Sequence, residues 1–142
     1  MFPADSKILI VDDSSFARTI VKNSLKELKF WKILEADTAK VAQDLLQEDE
    51  QKKDRVTLLI ADIHMPNVTG IELLKWVRSS EDWKSLPVII LTSSQEKAEI
   101  LEAGKWGASH FLIKPFDTAV LRDRMANTWL KHGEKWVATF KT

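Results

Sequence analysis

The chain has 142 residues, of which 44% are hydrophobic and 30% charged, and its 21 basic residues balance its 21 acidic ones. This length suits one domain with a single buried core. Balanced charge disfavours capture of nucleic acid by bulk charge, and the lack of cysteine excludes disulfides and thiolate chemistry. Because no apolar run is long enough to span a bilayer, we expect a cytoplasmic protein without membrane or direct nucleic-acid partners.

Short apolar runs alternate five times with longer segments of helical periodicity, which is typical of a parallel sheet covered by helices on both faces. The predicted strands cover residues 7–11, 32–35, 57–61, 88–92 and 111–113. The predicted helices begin near Ser14, Thr38, Ile71, Gln95 and Asp117. The pattern therefore predicts a single α/β domain.

The end of the chain continues the helical pattern for a short distance. Apolar residues spaced by four predict that one side of the fifth helix docks on the sheet: Leu121, Met125 and Trp129. Gly133 is the predicted stop of this helix. We therefore predict one domain over residues 1–132 and a short C-terminal tail over 133–142. The tail could be an interaction segment or the start of a longer protein.

Two other features have a plain structural interpretation at this stage. The charge run EDEQKKDR over residues 48–55 predicts a solvated loop. Six tryptophans are numerous for this length, and most should serve packing. We name Trp106 and Trp129 as the candidates for a partner surface.

Polar residues stand where the predicted strands end: Asp12, Asp13, Asp62, Thr92, Ser93 and Lys114. In open parallel sheets, ligands bind outside the carboxyl ends of the strands. Three carboxylates at this edge repel one another unless a cation or a proton neutralises part of their charge. With oxygen donors alone, the fitting ion is Mg²⁺ or Mn²⁺. A lysine and a hydroxyl beside such an ion suit a phosphoryl group.

Four fragments in chain order resemble the signatures of two-component response regulator receiver domains: IVDDSSFAR, ADIHMPNVTG, IILTSS and FLIKPF. Together they spread over residues 7 to about 130, nearly the whole chain. The resemblance implies a flavodoxin-like (βα)5 doubly wound parallel sheet with strand order 2-1-3-4-5. That order is the one known for the chemotaxis receiver, and it is carried over rather than deduced from spacing.

The resemblance also assigns the chemistry. Asp62 would accept a phosphoryl group from a sensor histidine kinase or a histidine phosphotransfer protein. Asp12, Asp13, Asp62 and the backbone carbonyl of His64 would hold Mg²⁺, and Lys114 would screen the phosphoryl charge. Such a receiver assists only its own phosphorylation and dephosphorylation, so we do not expect an enzyme that turns over a separate substrate.

The same resemblance implies a switch. Thr92 would move to bond the new phosphoryl group and Phe111 would fill the space it leaves, which alters the surface of helix 4, strand 5 and helix 5. His64 and Ser93 are candidate modulators. The bond between Lys114 and the proline that follows it would be cis.

Several alternatives stay open. Taken singly, Asp62 could be an ordinary turn residue, Lys114 a solvated loop lysine and Phe111 a core residue. The remaining positions could be helix-capping residues: Asp12, Asp13, Ser14, Thr92 and Ser93. An aspartyl-nucleophile phosphatase or phosphotransferase of the haloacid-dehalogenase-like type needs a second acid two residues after the nucleophile, where His64 stands. A flavodoxin-like cofactor carrier is disfavoured because the first loop offers carboxylates where a flavin phosphate needs donors. A stand-alone chemotaxis-like shuttle and a receiver that serves an output domain, or dimerises when phosphorylated, are equally compatible with the sequence.

Overall fold

The computed structural model describes residues 1–93 and 97–140. Its five strands form one parallel sheet in the order β2-β1-β3-β4-β5. The predicted flavodoxin-like order is therefore confirmed. The strands are β1 (Lys7–Val11), β2 (Lys32–Ala36), β3 (Val56–Asp62), β4 (Val88–Thr92) and β5 (His110–Ile113).

Helices alternate with the strands and then continue to the C-terminal end of the described chain. They are α1 (Ser15–Glu27), α2 (Ala39–Asp49), α3 (Gly70–Ser79), α4 (Lys97–Lys105), α5 (Thr118–Thr128), a π turn (Trp129–Gly133) and α6 (Glu134–Phe140). Hydroxyl or carboxylate oxygens cap α1, α2, α3 and α5 by accepting a backbone N–H three residues ahead. The predicted start of helix 4, Gln95, lies outside the described residues. No helix in the described ranges is long and apolar enough to cross a membrane.

The strands divide the core into two halves because successive side chains point to opposite faces of the sheet. On one face, Ile8 and Ile10 of β1 pack with buried residues of α1 and α5, including the predicted Leu121 and Met125. On the other face, Leu9 and Val11 share a cluster with residues of α2 and α3. Both faces are thus covered, which explains why the strands consist of nearly continuous apolar runs.

Gly133 does not end the helical path, so the predicted stop at this residue was wrong. The π turn passes directly into α6. A Cβ at Gly133 would lie 2.6 Å from Trp129 Cε3 and 3.0 Å from Phe2 Cζ. The glycine therefore permits close packing inside a helix rather than a left-handed C-terminal cap. The division of the chain into residues 1–132 and 133–142 stays a prediction.

Helix α6 is anchored by Trp136, whose side chain is buried. The indole N–H donates to the backbone carbonyl of Val56 over 3.1 Å, at the first residue of β3. The ring centroids of Trp83 and Phe140 lie 5.7 Å and 5.3 Å from that of Trp136. The guanidinium of Arg55 lies 4.8 Å from the Trp83 ring centroid and 5.8 Å from that of Trp136. This packing places α6 against the amino-terminal end of β3.

The charge run over residues 48–55 is only partly the solvated loop that its composition predicts. Asp49 belongs to α2 and is buried, with its Oδ2 3.0 Å from Lys7 Nζ. At the other end of the run, Arg55 packs on the two tryptophan rings and lies 3.3 Å from Asp82 Oδ1. The middle of the run, residues 51–53, is exposed. Specific partners for its two ends explain the difference from the prediction.

Candidate functional site

Three carboxylates meet at the carboxyl ends of β1 and β3, which are neighbours in the sheet. Asp12 and Asp13 follow β1, and Asp62 is the last residue of β3. One carboxylate oxygen from each residue lies within 4.8 Å of the other two. Asp12 and Asp62 are buried, whereas Asp13 is exposed. The sheet thus brings together the three acids that the strand ends predict.

Lys114 supplies the positive charge of this cluster. Its Nζ lies 2.9 Å from Asp12 Oδ2 and 3.2 Å from Asp62 Oδ1. Desolvation lowers the pKa of Lys114, but the hydrogen bond to Asp12 and the charges of both acids outweigh it and hold the pKa above its usual value. Lys114 therefore stays protonated. The peptide bond between Lys114 and Pro115 is cis, as predicted.

The pKa of Asp62 is raised above its ordinary value. Burial is the main cause; the charge of Asp12 adds to it, and Lys114 opposes it. Lys114 thus does not fully offset the burial of Asp62 and the charge of Asp12. A further cation would favour the ionised form of Asp62.

The donor set fits a divalent ion with a preference for oxygen. Mg²⁺ binds oxygens at 2.0–2.1 Å, so two ligands on opposite sides of the ion are about 4.2 Å apart. The carboxylate oxygens of Asp12, Asp13 and Asp62 lie within a similar span. Since the three acids offer oxygen donors only and the chain has no cysteine, Mg²⁺ or Mn²⁺ suits the site better than a softer metal.

The predicted switch residues lie on the two strands beyond β3. Thr92 ends β4 and is buried, directly after Leu91, which pairs with Asp62. Its carbonyl accepts the backbone N–H of Lys114 over 2.8 Å. Phe111 lies further down β5, paired with Ile90, and is half-buried. The sheet therefore puts Thr92, but not Phe111, next to the carboxylate cluster.

The two candidate modulators lie at the rim of the site. Ser93 is exposed directly after β4. His64 is exposed too, and its Nε2 lies 3.0 Å from Glu99 Oε2 of α4. Its side chain thus connects the loop after β3 to α4. The role of the His64 carbonyl as a metal ligand stays a prediction.

Gly70, the last residue of the ADIHMPNVTG fragment, lies at the site although no role there was predicted for it. A Cβ at this position would lie 2.1 Å from the backbone carbonyl oxygen of Asp62. The Gly70 N–H also donates to the carbonyl of Ile63 over 2.9 Å. A second missed contact is the Ser14 N–H, which donates to Asp12 Oδ1 over 2.9 Å. Glycine among the residues after Asp62 was the available signal, but its close approach to the acid depends on the folded loop.

The model of the response regulator receiver domain matches residues 8–126. The chain belongs to this family. The receiver is 40% identical over 119 residues to a chemotaxis protein CheY homolog of Campylobacter jejuni, an alignment that covers 84% of the chain and 88% of that relative. It is 38% identical to chemotaxis protein CheY1 of Helicobacter pylori, over 84% of the chain and 93% of that protein.

Solved receiver structures share the fold. Chemotaxis protein CheY4 of Vibrio cholerae superposes with a TM-score of 0.75 at 30% identity, over 88% of the chain and 99% of that structure. The receiver domain of a histidine kinase from Syntrophus aciditrophicus superposes with a TM-score of 0.76 at 26% identity, over 89% of the chain and 91% of that structure. The chain is thus a two-component response regulator receiver. These relatives give no support to a haloacid-dehalogenase-like enzyme. The second acid that such an enzyme needs two residues after its nucleophile is also missing, because His64 stands there.

Proposed function

We propose that the receiver is a phosphorylation-dependent switch in which Asp62 is the phosphoacceptor. The observation that carries this assignment is the contact of Lys114 with both Asp62 and Asp12 beside an exposed Asp13. That arrangement offers a nucleophile, a fixed cation and oxygen ligands within one small volume. These are the parts that phosphoryl transfer to a carboxylate needs.

In the proposed reaction, an Asp62 carboxylate oxygen attacks the phosphorus of a phosphohistidine. The phosphorus–nitrogen bond breaks, and its electron pair leaves with the imidazole of the donor protein. Lys114 attracts the phosphoryl oxygens, and Asp12 keeps the ammonium group in place through its 2.9 Å contact. Mg²⁺, held by Asp12, Asp13, Asp62 and the carbonyl of His64, would neutralise the charge that opposes attack by an anion.

The signal would leave the site through Thr92 and Phe111. A phosphoryl group on Asp62 adds charge and hydrogen-bond acceptors next to the Thr92 hydroxyl. Movement of Thr92 toward it would open space for Phe111 and alter the surface formed by α4, β5 and α5. This is a population shift between two packings, driven by contacts that only the phosphorylated state makes. Ser93 and His64 would tune the lifetime of the phosphoryl group from the rim.

The partners in this proposal are a sensor histidine kinase or a histidine phosphotransfer protein as donor, and a downstream effector or output domain as target. Several relatives are named chemotaxis proteins, which favours a stand-alone shuttle over a receiver that works through an attached domain. A phosphorylation-dependent dimer would use the same α4-β5-α5 surface. We expect these events in the cytoplasm, and no turnover of a separate substrate.

Intact mass after incubation with acetyl phosphate tests the proposal. The wild-type chain should gain one phosphoryl group in the presence of Mg²⁺ and none after chelation of the metal. Asp62→Asn should gain none, whereas Asp44→Asn, which removes an exposed carboxylate of α2, should match the wild type. Equal phosphorylation of Asp62→Asn would contradict the assignment of Asp62.

A further inference from the structure

A cavity lies at the opposite end of the sheet from Asp62. It has a volume of about 520 Å³ and is formed by the end of α3, the segments before β4 and β5, the π turn and α6. A strand of five residues is about 17 Å long, so the two sites are separated by roughly the height of the sheet. The residues that α6 and the π turn contribute lie outside the part of the chain that the family model matches, residues 8–126.

The charges around this cavity have one sign. Arg78, Lys84, His132 and Lys135 line it, and none of its described lining residues is acidic. The excess is local, because the chain as a whole has equal numbers of basic and acidic residues. Glu81 contacts Lys84 over 3.1 Å, but both side chains are more than half exposed, so this pair screens the cavity weakly.

Arg78 is a partly buried cation without a carboxylate partner among the described residues. Its guanidinium donates to the carbonyls of Gly107, Lys84 and Leu86 at 2.7–3.2 Å. Desolvation lowers the pKa of Arg78 to about 10. Backbone carbonyls satisfy hydrogen bonds but leave the positive charge uncompensated, which favours an anion nearby.

The other basic side chains of the cavity differ in how they are held. Burial and the charges of Arg78 and two lysines lower the pKa of His132, so at neutral pH its imidazole is a hydrogen-bonding group and not a fixed positive charge. His132 Nδ1 lies 2.9 Å from the hydroxyl of Ser109, which also accepts the backbone N–H of Val88 over 3.1 Å. The imidazole is therefore fixed at the rim. Lys84 and Lys135 are exposed, and their flexible ammonium groups suit a ligand as point charges.

We infer that this cavity binds a small, multiply charged phosphate compound. Its volume lies in the range of small-molecule sites. Phosphate is favoured over carboxylate because the guanidinium fork that would clamp a carboxylate is already bonded to backbone carbonyls, whereas lysine ammoniums bind phosphate groups without that geometry. The site is independent of the proposed phosphorylation of Asp62, so either proposal can fail alone.

Titration of the ¹⁵N-labelled full chain with pyrophosphate, at low salt and without Mg²⁺, tests the inference. We expect saturable shifts at the amides of Gly107 and Ala108 and at the Trp136 indole N–H. The double variant Lys84→Gln/Lys135→Gln should weaken binding about tenfold. The matched control Lys40→Gln/Lys53→Gln removes two lysines outside the cavity and should bind within about twofold of the wild type. Arg78 is left unchanged because its bonds support the fold.

Four results would overturn the inference. One is the absence of saturable shifts at the cavity. Another is equal weakening in the cavity variant and the control, which would indicate screening by total charge. A third is binding of citrate as tight as that of pyrophosphate, which would remove the preference for phosphate. Shifts confined to the surroundings of Asp13 would also count against the cavity, since they would place the anion at the carboxylate site.

Discussion

Asp62 is held where its charge is costly, because it is buried next to Asp12 and only partly compensated by Lys114. The pKa of Asp62 is raised in the folded state above its ordinary value of 3.8. At pH values above 3.8, the folded protein therefore binds more protons than the unfolded chain. The free energy of unfolding should therefore fall as pH rises from about 3.8 through the raised pKa.

Asp62→Asn removes this penalty. Without Mg²⁺, we expect the variant to exceed the wild type in free energy of unfolding by about 1–3 kcal/mol at pH 7, the order of the desolvation cost of a buried polar group whose partner offsets it only in part. The difference should shrink as pH is lowered toward 4. Urea unfolding of both proteins across this range measures it. The exposed neighbour is the control: Asp13→Asn should change stability by about 0.5 kcal/mol or less, and an equal gain there would contradict the burial argument.

Gly70 has a specific steric reason to be glycine. In Gly70→Ala, a Cβ 2.1 Å from the Asp62 carbonyl would force the loop after β3 to move. We expect a loss of about 2 kcal/mol or more in stability and slower phosphorylation of Asp62 by acetyl phosphate. Gly104→Ala is the matched control, because a Cβ there meets no atom within 4 Å and alanine favours the helix by about 1 kcal/mol. Similar thermal melts for the two variants would count against the clash.

At the scale of elements, α6 is the least expected part of the fold. Trp136 is 4% exposed, bonds the carbonyl of Val56 and packs on Trp83. We expect Trp136→Ala to lower the free energy of unfolding by about 3–5 kcal/mol. Trp136→Phe, which keeps an aromatic ring but loses the N–H, should cost about 1 kcal/mol or somewhat more. Chemical denaturation compares them.

The matched control for Trp136 is another tryptophan of the same chain. Trp31 is 65% exposed, and its replacement by alanine should change stability by about 0.5 kcal/mol or less. If Trp136→Ala were as mild as Trp31→Ala, α6 would be a loosely attached segment rather than part of the core.

Why α6 escaped prediction follows from its sequence. Gly133 is the residue type that commonly ends a helix. Whether it forms a C-terminal cap or permits close packing depends on Phe2, which is distant in sequence. The alternation of apolar and polar residues after Gly133 did not suggest a helix either. The anchor of α6, Trp136, bonds to β3 and contacts Arg55, which composition had assigned to a solvated loop. Contacts between segments distant in sequence decide the structure at Gly133, in α6 and at Arg55, and no local sequence pattern predicts such contacts.

At the scale of the whole molecule, the order of the strands concentrates acidic residues at one end of the sheet. Because the apolar strand runs are bounded by polar residues, the sequence was sufficient to predict all five strands and the meeting of Asp12, Asp13, Asp62 and Lys114. Strand order came from family resemblance. Two features could not be predicted from the sequence because they depend on side-chain placement. They are the contact of His64 with Glu99 and the basic cavity beneath α6.

Mg²⁺ should stabilise the molecule through the acidic end of the sheet. At a concentration one hundred times its Kd, the ion should add about 2.7 kcal/mol to the free energy of unfolding and raise the melting temperature. Asp13→Asn should bind Mg²⁺ about tenfold more weakly and lose about half of this gain at the same concentration. Asp44→Asn, at an exposed position of α2, should keep it. Differential scanning calorimetry with and without Mg²⁺ distinguishes these outcomes.

The most direct test of the central claim is chemical trapping of the phosphorylated residue. An acyl phosphate is reduced by borohydride to an alcohol, so a phosphoryl group on an aspartate leaves homoserine at that position. After incubation with acetyl phosphate and Mg²⁺, peptide mass spectrometry should find homoserine at position 62 and aspartate at positions 12 and 13. Homoserine at either of those positions, or an intact aspartate at 62 in a chain that has gained a phosphoryl group, would contradict the account.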